Sequence, residues 1–509
     1  MDVATDKTRA SKIPPLLNRN SAFLWTGRAI SEQENLKHNT HLVPAAGKPG
    51  GKAHILLLLL LSGLVFFFSA YLCNQLDFPT GDEPHYLVIS QTLLRYHSFD
   101  VTLDYTHSDY KAFYPGTLGP FQHTSPNKWG KLLPLHSIGA PILWLIPFAI
   151  AGRPGTLFFM SLVSLFIIFN VYLLLVSLGI QGNYAFLTGL GITLASPIWV
   201  FSHHNFVEPI AALLCIYIIR VLFQKHLQVL NVLGSSVALG VLPWIHIRFA
   251  LFEIILCCFL LARVYQENRF IKIKTYLYAF LPMFGLFLIF EAYNFFVWGS
   301  LNPLVNQANS GELPFDVAPW RGLLGLFLDQ EYGLVTNFPI FLFLLGGIIL
   351  ALKKRFLRFN VLLLLLSVPY IVTIASFHNW DGAISPPARF MTVLVPPLAF
   401  YLALALQRAH SWVMNGLFLL FMGIALLYEG VSLSIPGGWM NFQEGHSRPL
   451  LRIEQALHLP LTKGVPSVFL PEQALLIAGW FTLLGGLTLV VVLLARRQIQ
   501  LAGPLQSSN

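Results

Sequence analysis

The chain has 509 residues, 55% of them hydrophobic and only 11% charged. Soluble domains carry roughly a quarter charged residues, so this composition excludes a soluble protein of such size. The formal charge of +9 would suggest nucleic acid in a soluble chain. Here the basic residues sit in short gaps between apolar runs, where positive-inside topology accounts for them and nucleic acid is not a partner.

Residues 1–52 are polar, with eight Lys/Arg against four Asp/Glu, and read as a largely disordered basic tail. They are too long and too polar for the start of a signal peptide. The first apolar run, roughly His54 to Leu72, is therefore an uncleaved membrane helix with its basic end in the cytoplasm. Further runs fall near 155–178, 184–201, 207–224, 229–245, 249–264, 275–297, 333–352, 359–376, 390–406, 412–434 and 473–494. Runs of about 18 or more apolar residues indicate transmembrane helices. Lys225, Arg263 to Lys274, Lys353 to Arg358, Arg408 and Arg496-Arg497 occupy alternate gaps, which can all be cytoplasmic together. Residues 136–151 are apolar but short and carry Pro141 and Pro147. Read as re-entrant or interfacial, they preserve that parity. Irregular backbone at such depth must pack on protein or line a cavity.

The resulting fold class is an all-α integral membrane bundle of about twelve transmembrane helices. A membrane domain spans 53–497, both termini are cytoplasmic, and 498–509 is a second tail. The non-cytoplasmic side receives loops 73–135, 298–332 and 435–471, the first holding amphipathic helices. The four cysteines, Cys73, Cys215, Cys257 and Cys258, lack CxxC or Cys/His spacing and read as small buried hydrophobes.

In the first outer loop, Thr80-Gly81-Asp82-Glu83-Pro84-His85-Tyr86 opens a helix with Tyr86, Leu87, Ile89, Leu93 and Leu94 on one face against the membrane. An N-cap and a first-turn acid explain such a pair structurally, but capping needs only one carboxylate. The next outer gap carries His203, His204 and Glu208, and a carboxylate at a membrane helix terminus is expensive to bury without a function. His246 and Arg248 follow at the same side, where a lone Arg calls for a phosphate or carboxylate. Asp329 and Glu331 precede a helix and read as dipole charges, whereas Trp380, Asp381 and Arg389 lie in a late outer loop. Trp380 offers a sugar or lipid platform, and aromatics also belt membrane interfaces without further role. Trp439, Phe442, Arg448 and Arg452 lie where an acceptor could be met. Carboxylates and cations on one face suit a base that activates an acceptor hydroxyl while cations stabilise a departing phosphate.

The Asp82-Glu83 pair in a large first outer loop, the following loop helix, Glu208 in the next outer loop and the Gly382–Phe390 motif resemble the multi-pass glycosyltransferases of the C superfamily. That superfamily includes the protein O-mannosyltransferases, the lipid A aminoarabinose transferases and, more distantly, the catalytic subunit of oligosaccharyltransferase. The resemblance implies a polyprenyl-phosphate sugar donor, catalysis on the non-cytoplasmic face and generally inversion, in a bacterial inner membrane. It implies Asp82 as catalytic base with Glu83 in support, and Glu208 in a second acidic role. Arg248, Arg389 and His246 would hold the donor phosphate, and His204, Trp380, Asp381 and Tyr86 would contact substrate. No cofactor is certain; a divalent metal, where one is used, would fall to Glu208 and His204. The acceptor is a glycan, lipid or protein. The alternative function is a flippase or transporter of lipid-linked sugars, but no internal repeat supports it and the charges sit at one face. Glu291, inside the 275–297 run, fits neither function neatly.

Overall fold

The computed structural model describes residues 51–120, 123–267, 273–302, 304–305 and 317–501. The expected tails at 1–50 and 502–509, and most of 303–316, lie outside the described residues. The rest forms a helical bundle. Among the described residues, six helices are long and apolar enough to cross a membrane: Lys52–Leu76, Arg153–Ser177, Lys274–Trp298, Lys354–Ser376, Trp412–Ser434 and Ala474–Gln500. Along Lys52–Leu76, Leu56, Leu60, Leu64 and Phe68 form an exposed apolar stripe, one residue per turn, that lipid would cover.

The other expected crossings are shorter. Glu208–Leu222, Val229–Ile245, Ala250–Gln266 and Val395–Arg408 have 15, 17, 17 and 14 residues, below the roughly 20 that a bilayer core requires. The 184–201 run breaks after Leu194, where Ser196 accepts the Ile198 N–H and starts the separate Pro197–Phe201 turn. The 333–352 run divides into Leu334–Asn337, Pro339–Phe343 and Leu344–Ala351, Pro339 being unable to extend the first of these.

These shorter helices fill the centre. In Arg153–Ser177, 61% of the apolar window is buried, against 11% for Lys274–Trp298 and Ala474–Gln500, so the latter two form the periphery. Arg153–Ser177 packs between Lys52–Leu76 and Glu208–Leu222, and every residue from Val395 to Leu406 is buried.

Two local findings correct the reading of the first loop. The Glu83–Tyr96 helix does not lie on a membrane by one face: every residue from Glu83 to Ser90 is buried. Tyr86 and Ile89 enter the main core, while Val88 packs with Val101 and Tyr110 on the loop side. The loop also departs from all-α, pairing Thr124–Pro126 antiparallel with Leu132–Pro134. Residues 136–151 contain two short helices, Gly139–Leu143 and Leu145–Ala151. They are wedged against the bundle at glycines: a Cβ on Gly139 would stand 2.4 Å from the Trp244 carbonyl oxygen.

Candidate active site

Asp82 ends a turn that only glycine can make. Gly81 has φ +63, and a Cβ there would stand 2.4 Å from the Ile384 carbonyl oxygen. The close approach seats the first loop on the 381–389 loop. Asp82 makes no side-chain cap to the helix that follows it. Its Oδ2 instead accepts from Arg389 Nη2 at 2.5 Å, across 307 positions of sequence. A run of positive φ at Gly382, Ala383 and Ala388 delivers Arg389, and the Ala388 N–H is tied to the Tyr332 carbonyl at 3.0 Å.

Arg389 bridges two acids. Its Nε donates to Glu208 Oε1 at 2.8 Å, and Arg248 Nη2 donates to the same oxygen at 2.5 Å. The order Asp82, Arg389, Glu208, Arg248 therefore alternates in sign and sums to zero. Phe206 and Phe390 flank the guanidiniums, Arg389 lying 4.6 Å from the Phe206 ring centre and Arg248 4.8 Å from that of Phe390. Burial is the largest single influence on the Asp82 pKa and would raise it, but the charge and hydrogen bond of Arg389, with His136 and His123, together outweigh it and hold the carboxyl well below its usual range. Burial likewise opposes the charge on Arg389, and Asp82 and Glu208 more than restore it. Glu208 Oε2 and Arg248 Nε are buried without a hydrogen-bond partner. The cluster thus retains unused polar valences, which a buried network without a ligand rarely does.

Glu83 points the other way. It is fully buried, accepting the Asn205 N–H at 2.6 Å on Oε1 and the Thr80 N–H at 3.2 Å on Oε2. It clamps the turn before Asp82 to the gap before Glu208.

Three imidazoles adjoin Asp82 that sequence reasoning missed. His123 Nδ1 and His136 Nε2 are 2.9 Å apart, and His85 stacks on His123 with ring centres 3.6 Å apart. Tyr105 hydroxyl fixes His85 at Nδ1, 2.6 Å away. Burial lowers all three pKa values, His85 to about 2 and His136 to about 4, so the rings are neutral at neutral pH. The signal was present but weak: His123 and His136 flank the two strands, which the Pro126-Asn127-Lys128-Trp129-Gly130 turn folds together.

The remaining expected residues occupy varied places. His246 lies beside the cluster but is not a cation: its Nδ1 accepts the Arg248 N–H at 3.2 Å, and burial, then Arg248 and Arg389, push its pKa far down. His204 is buried, with Nδ1 bonded to the Val200 carbonyl. Tyr86 is buried against His136 and Trp144. Trp380 is no platform: its ring is 3% exposed, stacked on Phe469 and pressed against Gly325. Asp381 accepts from the Ala383 N–H and Gln443 Nε2, turning the loop that carries Arg389. Trp439 is buried against Trp199 and His203, whereas Arg448 lies over Phe442.

Glu208 and His204, the residues to which a metal would fall, belong to no cluster of three or more metal-ligating side chains among the described residues. Glu208 Oε1 is occupied by two guanidiniums. Among the described residues one group has the donors and spacing to hold an ion: Asp82, His123 and His136, whose ligand atoms lie within 4.8 Å of one another.

Asp329 and Glu331 prove to be loop anchors rather than dipole charges. Asp329 accepts the N–H groups of Glu331, Tyr332 and Val468. Glu331 accepts those of Phe442, Glu444 and Gly445.

No family model matches the sequence, and no curated protein matches it. Among solved structures, the chain superposes on ArnT from Cupriavidus metallidurans bound to undecaprenyl phosphate with TM-score 0.50 and 12% identity, over 88% of this chain and 78% of ArnT. The apo form of ArnT gives 0.47 and 14% over 87% and 77%. The Archaeoglobus fulgidus oligosaccharyltransferase gives 0.39 and 13% over 80% and 60%. The likeness to ArnT shows a shared fold.

Proposed function

We propose that this protein is a membrane glycosyltransferase that moves one sugar from a polyprenyl-phosphate carrier to an acceptor hydroxyl. The observation that carries the reading is the Arg389 bridge, which joins Asp82 and Glu208 at one end of the bundle while leaving Glu208 Oε2 and Arg248 Nε unsatisfied. Likeness of fold to an ArnT bound to undecaprenyl phosphate supports the carrier class. The sugar is a hexose or pentose. In full topology about twelve segments cross, the shorter helices among them, with both termini cytoplasmic and the Asp82 face outside, as the alternate basic gaps require.

The ion pairs suggest how the base is armed. A carboxylate held low by a guanidinium is a poor proton acceptor. A lipid phosphate entering beside Arg389 and Arg248 would compete for their N–H groups and let the Asp82 pKa rise. Asp82 then takes the acceptor O–H proton, and the hydroxyl oxygen forms the new bond at the anomeric carbon. The bond from that carbon to the phosphate oxygen breaks in line, and the phosphate leaves with the electron pair to the two arginines. Inversion follows. Glu208 keeps both guanidiniums aimed, and Glu83 positions the turn rather than moving a proton. His246, being neutral, orients Arg248.

The test is sugar release or transfer from radiolabelled polyprenyl-phosphate sugars by purified protein, beside Asp82→Asn. Turnover by wild type alone is the expected result. No turnover across a donor panel, with lipid-linked sugar moved across liposome membranes, would replace the reading by a flippase.

A further inference from the structure

We propose that Asp82, His123 and His136 form a binding site for a borderline transition-metal ion such as Zn²⁺ or Co²⁺, at the mouth of the Arg389 cluster. The inference depends on the transferase reading only in sharing Asp82.

The donor set suits the purpose. One oxygen and two nitrogens, one from each side chain, lie within 4.8 Å of one another. Asp82 Oδ2 is engaged by Arg389, which leaves Oδ1 to serve an ion. His123 Nδ1 and His136 Nε2 are already 2.9 Å apart, so one proton lies between them. An ion can take both lone pairs once the donating ring moves that proton to its other nitrogen, a tautomer change without loss of charge. All three residues are only partly buried, Asp82 keeping 23% of its side chain exposed, so an ion has a way in.

The surroundings hold the ligands in place. The strands Thr124–Pro126 and Leu132–Pro134 fix the two histidines at adjacent ends, with the Leu135 N–H donating to the His123 carbonyl at 2.8 Å. His85 stacks on His123 and is itself held by Tyr105, a supporting layer of the kind that orients metal-binding imidazoles. Nitrogen-rich donors favour transition ions over Mg²⁺ or Ca²⁺, which prefer all-oxygen shells. Three protein donors leave open positions for outside ligands, as in catalytic rather than structural sites.

The opposing force is Arg389. Its charge is matched by Asp82 and Glu208, and that of Arg248 completes a neutral set, so an ion enters a site without net repulsion. Glu208 takes no part, which separates this site from one built on the second acidic loop.

The experiment is Co²⁺ titration of the detergent-purified full chain after chelator treatment, read by visible absorption and by bound metal per protein. No donor or acceptor is needed. Wild type should bind one Co²⁺ with nitrogen-ligand d–d bands, displaced by Zn²⁺ and unaffected by millimolar Mg²⁺. His123→Gln and His136→Gln each remove a direct ligand and should weaken binding by at least about tenfold, the lesser cost of losing an outer-shell partner, and Asp82→Asn, which preserves shape, should do likewise. His204→Gln should bind as wild type does. Absence of the bands in wild type, or equal binding by correctly folded His136→Gln and Asp82→Asn, overturns the site. Metal binding without sugar transfer would sink the transferase reading and leave the site intact; transfer by a protein that binds no Co²⁺ would do the reverse.

Discussion

Two groups of acids stand at the same end of this bundle and do opposite work. Asp329 and Glu331 accept six backbone N–H groups between them and hold the 442–445 and 465–468 segments in place. Among the described residues, the side chains of Asp82 and Glu208 are met by guanidiniums carried on remote loops rather than by backbone N–H groups. Backbone N–H groups cannot leave or exchange partners without unfolding a loop, whereas a guanidinium can transfer its hydrogen bonds to an incoming anion. Burial of a carboxylate therefore does not mark chemistry by itself; the nature of its partner does.

The largest effect should come from cutting the bridge. Arg389→Lys retains charge but has no fork to span Asp82 and Glu208, so either Asp82 loses its cation or Glu208 is left with Arg248 alone. We expect loss of transfer and destabilisation of about 3–5 kcal/mol, measured by thermal unfolding in detergent. Asp82→Asn should lower transfer by roughly 10²–10⁴-fold, the usual share of a general base, while donor binding in equilibrium assays persists. Near-normal turnover would remove Asp82 from the base role.

Gly81→Ala comes next. The positive φ and the Ile384 carbonyl at 2.4 Å predict strain of about 1–2 kcal/mol from backbone alone. The added methyl should also shift Asp82 away from Arg389, with kcat falling more than stability would explain.

Glu331→Gln should act on stability and little on chemistry, by about 1–3 kcal/mol for lost backbone acceptors, with kcat per folded molecule unchanged. A large kcat effect at full stability would erase the contrast between the two acid groups. A last effect concerns pH. Burial raises the Glu331 pKa from 4.5 to about 7 against the pull of the Gly445 N–H, and that of Asp329 from 3.8 to about 6 against the Val468 N–H. The folded state thus binds more protons than the unfolded one between the two values. Stability should fall as pH rises from about 4 to 7 and level off above, and Glu331→Gln should flatten the upper part of that slope.

Much of the site was legible because charge is scarce in this chain. With 11% charged residues, each carboxylate or arginine at a helix end stands out, and Asp82, Glu208, Arg248 and Arg389 could be picked without coordinates. Their partners could not. Asp82 and Arg389 are 307 residues apart, and no local pattern states that they touch. The cluster of His85, His123 and His136 escaped for the same reason, since the placement of His123 and His136 at the two ends of a short hairpin is a weak signal and does not state which rings meet. Trp380 misled because an aromatic in a loop looks the same whether it faces a ligand or, as here, stacks on Phe469.

Hydrophobic runs determined by themselves that this is a membrane bundle, because water excludes such runs wherever they fold. Run lengths did not determine helix lengths: Pro339 and the break after Leu194 shorten apolar runs into pieces whose ends the core, rather than the bilayer, satisfies. Which acid meets which cation, and which acid merely ties a loop, was decided only by tertiary structure. Charge and hydropathy are properties of single residues, but a pairing depends on how positive-φ turns at Gly81, Gly382 and Ala388 aim chains that meet from opposite ends of the sequence.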